Sequence, residues 1–303
     1  MSENVFWETM KNYSDRRFLK MLCRAETEPV INGLQMPGFP DAKYQKESVG
    51  SSGSRTLRKE GWMFYKLVKK CAQQSGNAVG PDTRILDFGC GWGRMTRFYF
   101  KDIKSENIFG IDVDPTMIKI CQDALHCGNY STVDPLPPPK GSFPDHSFHI
   151  IIAYSVFSHL HYDAAERWVA EFSRILKPGG ILVATTQGER FLKLCKRLQN
   201  NPNKQITQWH QSVASAFENI DDCLSRYRSG EFLYAATGGG YARDASFYGE
   251  AIVPKEYIEK HFGKYLELVD FFHNARRLPW KLPQACFVMQ KNESFPLAKE
   301  AEA

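Results

Sequence analysis

Residues 84–94 read Arg-Ile-Leu-Asp-Phe-Gly-Cys-Gly-Trp-Gly-Arg, and this stretch decides the fold. Ile85 and Leu86 are apolar enough for a buried parallel strand, and Asp87 places a carboxylate near the end of that strand. The alternating glycines at 89–93 permit a positive φ and a close approach between backbone and ligand. The stretch therefore predicts a strand that leads into a ligand-binding turn, the first half of a mononucleotide-binding α/β unit.

Several classes of nucleotide-binding protein contain glycine-rich turns, so the spacing of this turn matters. The dinucleotide pattern G-x-G-x-x-G would place its last glycine at position 94, where the chain has Arg94. The P-loop pattern requires Gly-Lys-Ser or Gly-Lys-Thr, and neither tripeptide occurs in the sequence. The turn therefore favours a nucleoside ligand that carries little or no phosphate.

A second strand is predicted over residues 108–114, which read Ile-Phe-Gly-Ile-Asp-Val-Asp. Asp112 lies about 20 residues beyond Gly91, the offset at which a carboxylate at a strand end binds ribose hydroxyls. Asp114 stands directly before Pro115 and is expected to cap the following helix. Asp112 is therefore the predicted ribose ligand.

Three segments resemble, in this order, the motifs of class I S-adenosylmethionine-dependent methyltransferases. They are residues 86–93, 110–115 and 176–183. The resemblance implies S-adenosylmethionine as cofactor and S-adenosylhomocysteine as product. It also implies an α/β fold, a Rossmann-like, seven-stranded, mostly parallel, doubly wound sheet with a helical lid inserted between strands 5 and 6. His149 stands where an aspartate is usual in this family, which puts one local contact in doubt.

The same resemblance assigns the cofactor-binding residues. Asp87 and residues 89–94 would surround the methionine part, Asp112 would bind the ribose, and Asp134 would lie near the adenine amino group. Trp92 either closes over the cofactor or packs on the sheet. The full set, to which Tyr154 and Ser155 are added because they end the fourth strand, is Asp87, Gly89, Cys90, Gly91, Trp92, Gly93, Arg94, Asp112, Val113, Met117, Asp134, Tyr154 and Ser155.

Composition indicates a globular chain without a polyanionic partner. Of its 303 residues 43% are hydrophobic, and the formal net charge is +5 with no run of five like charges. Binding to nucleic acid or a membrane is therefore not expected, whereas a small anionic substrate is compatible with the charge. The eight cysteines show neither a C-x-x-C pair nor a zinc spacing, so free thiols, no metal site and a cytoplasmic location are expected.

Changes in the hydrophobic period divide the chain into four parts. Residues 1–80 are predicted to form an N-terminal arm and helix that cover the site, and residues 81–187 the cofactor-binding core. Residues 188–250 are predicted to form a substrate-binding lid, in which one helical stripe extends over residues 209–224. Residues 251–303 would supply the last strands of the sheet and a tail.

The segment 227–248 holds three consecutive glycines flanked by aromatic side chains. Such a segment suits either a disordered loop or a backbone that approaches a flat or sugar-like acceptor, and the sequence leaves both interpretations open. The predicted acceptor-binding residues are Phe232, Gly239, Tyr241 and Tyr248.

Methyl transfer from a sulfonium is an in-line displacement, so the protein mainly aligns the reactants and excludes water. A hydroxyl acceptor also benefits from a general base, and the candidates are His159, His161 and Glu250. His159 follows the predicted fourth strand, at the edge where doubly wound sheets bind ligands. The alternatives are structural: His161 would precede a helix cap at Asp163, and Glu250 would be a solvated surface residue.

The sequence therefore predicts an enzyme that methylates a small molecule or glycan, with oxygen as the expected acceptor atom. Two alternatives remain open: a methyltransferase of RNA or protein, and a catalytically silent partner protein that binds S-adenosylmethionine. Residues 153–156 read Ala-Tyr-Ser-Val where methylases of base amino groups have (Asp/Asn)-Pro-Pro-(Tyr/Phe), and no Pro-Cys dipeptide of the cytosine-C5 type occurs. A larger basic patch near Lys193, Lys196 and Arg197 would favour RNA or protein.

Overall fold

The short apolar runs of the sequence form strands of a single seven-stranded sheet. The computed structural model describes residues 3–49, 52–138, 141–204, 207–240, 242–273 and 282–292. Its strands are β1 (Val30–Ile31), β2 (Leu34–Gln35), β3 (Ile85–Phe88), β4 (Ile108–Asp112), β5 (Asn129–Thr132), β6 (Phe148–Ala153), β7 (Leu176–Thr186), β8 (Leu233–Ala235), β9 (Glu250–Ile252), β10 (Glu267–Phe272) and β11 (Ala285–Gln290).

The large sheet has the strand order β10-β11-β7-β6-β3-β4-β5. Strands β3 to β7 are parallel to one another, whereas β11 pairs antiparallel with β7 and β10 antiparallel with β11. The chain moves outward from β3 through β4 and β5 and then returns to β6 on the other side of β3. This topology confirms the predicted Rossmann-like, doubly wound sheet. Ligands of such sheets bind where the strand order reverses, outside the carboxyl ends of the strands.

Helices pack on the sheet and form the segments at its edges. The α-helices are α1 (Glu3–Met10), α2 (Asp15–Arg24), α3 (Ala42–Val49), α4 (Ser54–Thr56), α5 (Trp62–Gln74), α6 (Pro115–Leu125), α7 (Tyr162–Ile175), α8 (Glu189–Gln199), α9 (Gln208–Ser215), α10 (Ile220–Arg228) and α11 (Lys255–His261). A π-helical turn, Leu57–Gly61, joins α4 to α5. Short 3₁₀ segments lie at Thr96–Lys101, Ser105–Asn107, Pro202–Lys204 and Phe262–Lys264.

Successive residues of each strand point to opposite sides of the sheet, and both faces are buried at the central strands, whereas the edge strands β5 and β10 are partly exposed. Ile85 of β3 packs in one apolar cluster with Phe64 of α5. The next residue, Leu86, packs in a second cluster with Trp168 of α7. Helices on both faces thus hold β3 in place, and β3 in turn positions the glycine-rich turn that follows it.

The residues between β7 and β10 form a lobe with an apolar core of its own. Leu192 of α8, Val213 of α9 and Leu224 of α10 pack together there with Leu233 and Ile252 of the two short strands. Strands β8 and β9 pair antiparallel. A helical insertion between the fifth and sixth strands of the sheet is therefore present, while its function as a lid remains a prediction.

Two local elements differ from the sequence prediction. The stripe over residues 209–224 is divided into α9 and α10, because Asn219 caps a new helix by accepting a hydrogen bond from the Asp222 backbone N–H at 3.1 Å. The segment after the glycine-rich turn is the 3₁₀ segment Thr96–Lys101, in the position where the predicted α/β unit would have its α-helix. Neither difference alters the strand order or the position of the turn.

The N-terminal arm contacts the glycine-rich turn and α6. The Tyr44 hydroxyl donates a hydrogen bond to Met117 Sδ at 2.8 Å. The guanidinium of Arg97, whose exposure is 0%, donates to the backbone oxygens of Gly38 at 2.9 Å and Gly93 at 3.0 Å. One buried cation thus connects the arm to the turn.

Replacing Arg97 with methionine should destabilise the protein strongly. Methionine keeps much of the apolar length but leaves the backbone oxygens of Gly38 and Gly93 without their charged donor. The free energy of unfolding in urea should fall by about 3 kcal/mol, since hydrogen bonds to charged groups contribute about 1.5–3 kcal/mol each. Arg167→Met, at an exposed arginine of α7, is the matched control and should change stability by less than about 0.5 kcal/mol. Equal effects of the two substitutions would contradict this account of Arg97.

Candidate active site

The carboxyl ends of four parallel strands meet at one edge of the sheet. Asp112 ends β4, Tyr154 follows β6, and Thr185 lies at the end of β7. The glycine-rich turn follows β3, which pairs with both β4 and β6. Residues that are far apart in the sequence are therefore neighbours at this edge.

The three alternating glycines of the turn have different structural requirements. Gly89, Gly91 and Gly93 have φ values of +68°, +53° and +75°. A Cβ at Gly89 would lie 2.4 Å from Val156 Cγ2, and one at Gly93 would lie 2.2 Å from Leu125 Cδ1. A Cβ at Gly91 would meet no atom within 4 Å. The outer glycines therefore permit close packing, while Gly91 presents its backbone to open space that a ligand can occupy.

Asp112 lies directly beside this open glycine. Its Oδ2 accepts a hydrogen bond from Gly91 N at 2.9 Å, and its Oδ1 accepts one from Asp114 N at 3.0 Å. Burial raises the pKa of Asp112, and these two backbone donors oppose that rise. Asp114 caps α6 through a hydrogen bond from Thr116 N at 2.9 Å, so its structural role is confirmed.

Asp87 faces the interior of the protein. Its side chain is 3% exposed, and its Oδ2 accepts a hydrogen bond from Thr96 Oγ1 at 2.5 Å. Burial raises the pKa of Asp87 to about 7. The carboxyl group therefore holds the 3₁₀ segment beneath the turn, and a contact between Asp87 and the cofactor remains a prediction.

Cys90 and Trp92 lie between the glycines and are both buried. The Trp92 ring packs against Phe39 of the arm, with 6.2 Å between ring centroids, and Arg97 lies 4.7 Å from the Trp92 ring centroid. Of the two alternatives for Trp92, the structure has the packed one, but against the arm. A hydrogen bond with Cys121, together with burial, raises the pKa of the Cys90 thiol.

Arg94, Tyr154 and Glu60 form a polar cluster at the side of the turn. Arg94 Nη1 lies 2.9 Å from Glu60 Oε2, and the Tyr154 hydroxyl donates to the same oxygen at 3.1 Å. The guanidinium also lies 5.0 Å from the Tyr154 ring centroid. Glu60 belongs to the π-helical turn, and the sequence pattern did not identify it. The cluster offers one positive and one negative group to a ligand beside the turn.

Ser155 adopts an unusual backbone conformation directly after the strand-end tyrosine. Its φ is +62°, a region that a residue with a Cβ rarely adopts. Thr185 Oγ1 accepts from Ser155 N at 2.7 Å, and Gln284 Nε2 donates to Ser155 Oγ at 2.9 Å. Strained conformations held by neighbouring groups are characteristic of functional sites. Gln284 was not predicted, because it lies in the distant segment before β11.

The three residues predicted to lie on the adenine side of the cofactor, Val113, Met117 and Asp134, occupy different environments. Val113 packs at the border of the second apolar cluster, and Met117 is buried in contact with Tyr44. Asp134 is exposed beyond β5, next to Pro135, whose carbonyl accepts a hydrogen bond from the Trp168 indole. Their predicted contacts with adenine remain predictions.

His159 is held as a neutral imidazole. Its ring stacks on Tyr248, with 4.8 Å between centroids and 7° between planes. Its Nδ1 lies 2.8 Å from the Gly249 backbone oxygen, and because a carbonyl only accepts, Nδ1 carries the proton. Burial lowers the pKa of His159 to about 4. Nε2 therefore keeps its lone pair at neutral pH and has the form that a general base requires.

Glu250 lies on the Nδ1 side of this imidazole. Its Oε2 is 3.8 Å from His159 Nδ1 and, in the part of the chain that the structure describes, has no hydrogen-bond partner. The residue is 7% exposed, and burial raises its pKa to about 8. A solvated surface position is thus the wrong alternative for Glu250. Its carboxyl group thus lies close to Nδ1, and a catalytic role for Glu250 stays a prediction.

His161 caps α7. Its Nδ1 accepts a hydrogen bond from Asp163 N at 3.4 Å, and its backbone N–H donates to Phe247 O at 2.9 Å. The cap of this helix is therefore His161, whereas the sequence suggested Asp163. One ring nitrogen of His161 already has a structural partner, and a catalytic role for the residue stays a prediction.

The predicted acceptor-binding residues lie in two places. Tyr248 stacks on His159, and a Cβ at Gly239 would lie 2.6 Å from Tyr248 Cε1, so this glycine permits close contact. Phe232 packs edge-on against Tyr257, 5.0 Å between centroids, in the second apolar cluster. Tyr241 lies outside the described residues.

An arginine that the sequence pattern did not identify lies over the same site. Arg243, which follows the three glycines, places its guanidinium 5.7 Å from the Tyr248 ring centroid. Its charge opposes the burial-driven rise in the pKa of Asp112, and it adds to the lowering of the pKa of His159 by burial. Arg243 and Tyr248 therefore connect the surroundings of His159 with those of Asp112, the carboxylate that was predicted to bind the ribose.

The described ranges show neither a metal site nor a membrane-spanning helix. No group of three or more His, Cys, Asp or Glu side chains there is arranged to hold a metal ion. No helix in those ranges combines the length and apolar character needed to cross a membrane. No disulfide bond joins the cysteines of those ranges.

A family model and several known proteins match part of this chain. Residues 85–180 match the family model described as a methyltransferase domain. The chain is 32% identical over 128 residues to 2-methyl-6-phytyl-1,4-hydroquinone methyltransferase of Synechocystis sp., a match covering 41% of this chain and 38% of that protein. It is 28% identical over 117 residues to the tRNA N(3)-cytidine methyltransferase METTL2 of Danio rerio, covering 35% and 32%. The chain thus spans less than half the length of either relative.

A solved structure has the same overall fold. An S-adenosylmethionine-dependent methyltransferase from Clostridium acetobutylicum superposes with a TM-score of 0.50 at 15% identity, covering 83% of this chain and 97% of that chain. At this identity the likeness extends to the fold alone. The family match contains the glycine-rich turn and Asp112 but ends before the helical lobe that begins after β7.

Proposed function

Residues 85–180 are a class I S-adenosylmethionine-dependent methyltransferase domain, and on this premise we propose that the chain methylates a hydroxyl group of a small molecule or sugar. The observation that carries the proposal is the neutral His159, whose Nδ1 is fixed by a carbonyl and whose Nε2 is a free base. It lies under the lid loop, at the sheet edge where the domain binds its cofactor.

The residues at the sheet edge fit S-adenosylmethionine. The open space at Gly91 admits a ligand, and Asp112 beside it offers carboxylate oxygens to ribose hydroxyls. Arg94 and Glu60 match the carboxylate and the ammonium group of the methionine part. When bound, S-adenosylmethionine supplies an electrophilic methyl group on a positively charged sulfur.

His159 would accept the proton of the acceptor hydroxyl. As the oxygen–methyl bond forms and the sulfur–methyl bond breaks, the hydroxyl proton moves to Nε2 and gives an imidazolium. Gly249 O accepts the hydrogen bond from the imidazolium Nδ1–H, with 2.8 Å between Nδ1 and the oxygen. The ionised form of Glu250 would stabilise the positive charge of the imidazolium. Glu250 is in this account a positioning residue for His159.

The lid loop would align the acceptor and exclude water. Tyr248 covers one face of His159, and the close contact at Gly239 keeps the loop backbone against that tyrosine. Exclusion of water strengthens the electrostatic interactions that position the reactants. The predicted separation of functions follows, with acceptor recognition in residues 188–250 and cofactor binding in the core.

The basic side chains of α8 favour a small acceptor over RNA or protein, because two of them already form ion pairs with acidic side chains. Lys193 pairs with Glu189 at 2.9 Å, and Lys196 pairs with Asp221 at 2.5 Å. Two of the three positive charges that would favour a larger acceptor are therefore neutralised. A nucleic-acid interface instead requires several unpaired cations to contact phosphates.

The proposed function is tested by following isotope-labelled methyl groups from S-adenosylmethionine. The chain is incubated with the low-molecular-mass, RNA and protein fractions of a cell extract, each supplied separately. Label is expected in the low-molecular-mass fraction, as an ether of a hydroxyl compound. Label in RNA or protein would support the second candidate, and binding of S-adenosylmethionine without transfer to any fraction would support a silent partner protein.

Glu250 should make the stability of the protein depend on pH. Burial raises its folded-state pKa from 4.5 to about 8, so between these values the folded state binds the proton more tightly than the unfolded state. Its ionisation therefore lowers stability as the pH rises. Glu250→Gln lacks this ionisation and should become progressively more stable than the wild type between pH 5 and pH 8, measured by urea unfolding. The exposed Glu256→Gln is the control, and a constant difference between Glu250→Gln and wild type would contradict the buried carboxyl.

A further inference from the structure

Arg243 is held in the lid loop by a tight turn. Gly239 N donates to Arg243 O at 2.9 Å, and Arg243 N donates to Gly240 O at 3.0 Å. A Cβ at Gly239 would lie 3.0 Å from Arg243 Cβ and 2.6 Å from Tyr248 Cε1, so only glycine lets these two side chains come together here. The loop is thus built to place a guanidinium over the tyrosine that stacks on His159.

This guanidinium lacks an acidic partner within the described ranges. None of their carboxylates forms an ion pair with Arg243 at 4 Å or less, and its Nε is buried without a hydrogen-bond partner. The neighbouring Asp244 accepts a hydrogen bond from Ser246 N at 2.9 Å. Asp112 is bound by the backbone N–H groups of Gly91 and Asp114. The guanidinium interacts with the Tyr248 side chain and with the charge of Asp112, and its Nε is left as a donor for a ligand.

We propose that Arg243 binds an anionic group of the methyl acceptor, a carboxylate or a phosphate, so that the acceptor is a hydroxyl compound bearing an acid. The inference rests on the proposed function and narrows its substrate class. A guanidinium binds such oxyanions through two parallel hydrogen bonds, and its Nε is one of the donors that this geometry uses.

The charges at the site support an anionic acceptor. The donor carries a positive sulfur, and a second cation on the lid repels it. The charge of Asp112, which interacts with Arg243, offsets part of this repulsion, and an acceptor acid placed against Arg243 would offset more of it. The methionine carboxylate of the donor is the competing anion, but the Arg94–Glu60 pair beside the turn already provides charges for that part.

The test compares anionic and neutral probes on the protein saturated with S-adenosylhomocysteine. Calorimetry measures binding of 4-hydroxybenzoate, its neutral amide 4-hydroxybenzamide, and inorganic phosphate at constant ionic strength. The wild type should bind at least one of the two anions about tenfold or more tightly than the amide, since charge-assisted hydrogen bonds are lost with the amide. Preference between benzoate and phosphate distinguishes a carboxylate acceptor from a phosphate one.

Arg243→Gln should abolish the preference for the anion, while Arg243→Lys should retain part of it because the charge remains without the planar fork. Arg167→Gln, at an exposed arginine of α7, is the matched control and should leave the preference unchanged. In all three variants the affinity for S-adenosylhomocysteine should stay within about threefold of wild type, because Arg243 is proposed to contact the acceptor and not the cofactor.

Three outcomes overturn the proposal. Arg243→Gln could weaken S-adenosylhomocysteine more than tenfold, which would assign the arginine to the cofactor. The anionic preference could persist in Arg243→Gln, or the wild type could show none, including no binding of any probe. If the proposed function itself is wrong, the wild type should bind no S-adenosylhomocysteine before any probe is added. That result distinguishes a failure of the proposed function from a failure of the role of Arg243.

Discussion

Replacing His159 with alanine should lower the single-turnover rate of methyl transfer by about 10²- to 10⁴-fold, the usual contribution of a general base. The imidazole is neutral, its Nδ1 proton is bound to Gly249 O at 2.8 Å, and Nε2 is left to accept a proton. The affinity for S-adenosylhomocysteine should be nearly unchanged, since other residues are predicted to bind its ribose and methionine parts. The measurement is a rapid-quench single turnover together with calorimetry on the same variant.

His161→Ala is the matched control for this prediction. It removes a helix cap, so the free energy of unfolding should fall by about 1 kcal/mol while the single-turnover rate changes less than tenfold. Glu250→Gln should have an intermediate effect on rate, because it acts through His159. If none of the three substitutions lowers the rate tenfold, the acceptor needs no side-chain base, and a carboxylate or a neutral amine becomes the better acceptor atom.

Replacing Asp112 with alanine should weaken binding of S-adenosylhomocysteine by about 10- to 150-fold, equivalent to about 1.5–3 kcal/mol for a lost charged hydrogen-bond acceptor. This substitution weakens binding of S-adenosylhomocysteine in two ways. Ribose hydroxyls lose their carboxylate, and Gly91 N loses the oxygen that fixes the turn at 2.9 Å. Calorimetry measures the change directly.

Asp114→Asn is the control for Asp112. Asparagine also caps helices well, so α6 should keep its N-terminus and cofactor affinity should change less than about threefold. Equal losses of affinity in the two variants would mean that residues 112–114 affect cofactor binding only by holding the backbone of this segment in place. In that case the ribose-binding role of Asp112 would be wrong.

The part of the site formed by the glycine-rich turn and Asp112 was predictable, because these residues belong to short, local sequence patterns. The glycines, the strand before them and the offset to Asp112 are all properties of about 30 consecutive residues, the length of one βαβ unit. In such a unit the carboxyl ends of the parallel strands lie at one edge of the sheet. The sequence pattern therefore predicted correctly that Gly91 lies beside Asp112. Asp114 as a helix cap followed equally from its neighbour Pro115.

The remaining site residues come from distant segments and have no local pattern. Glu60, Gln284 and Arg243 reach the edge from the π-helical turn, the segment before β11 and the lid, and only the tertiary fold brings them together. The three glycines before Arg243 were the sole signal that the backbone there makes a close approach. Burial of Glu250 was equally unpredictable, because the residues that exclude water from it belong to other elements.

We expect the turn at Gly91 and the carboxylate of Asp112 to form a site for S-adenosylmethionine. Calorimetric titration of the unmodified chain with S-adenosylhomocysteine and, separately, with a nicotinamide dinucleotide tests it most directly. The account predicts one molecule of S-adenosylhomocysteine bound per chain, no binding of the dinucleotide, and loss of binding in Gly91→Val, where a branched side chain would fill the open space and strain a φ of +53°. Binding of the dinucleotide in place of S-adenosylhomocysteine would contradict it.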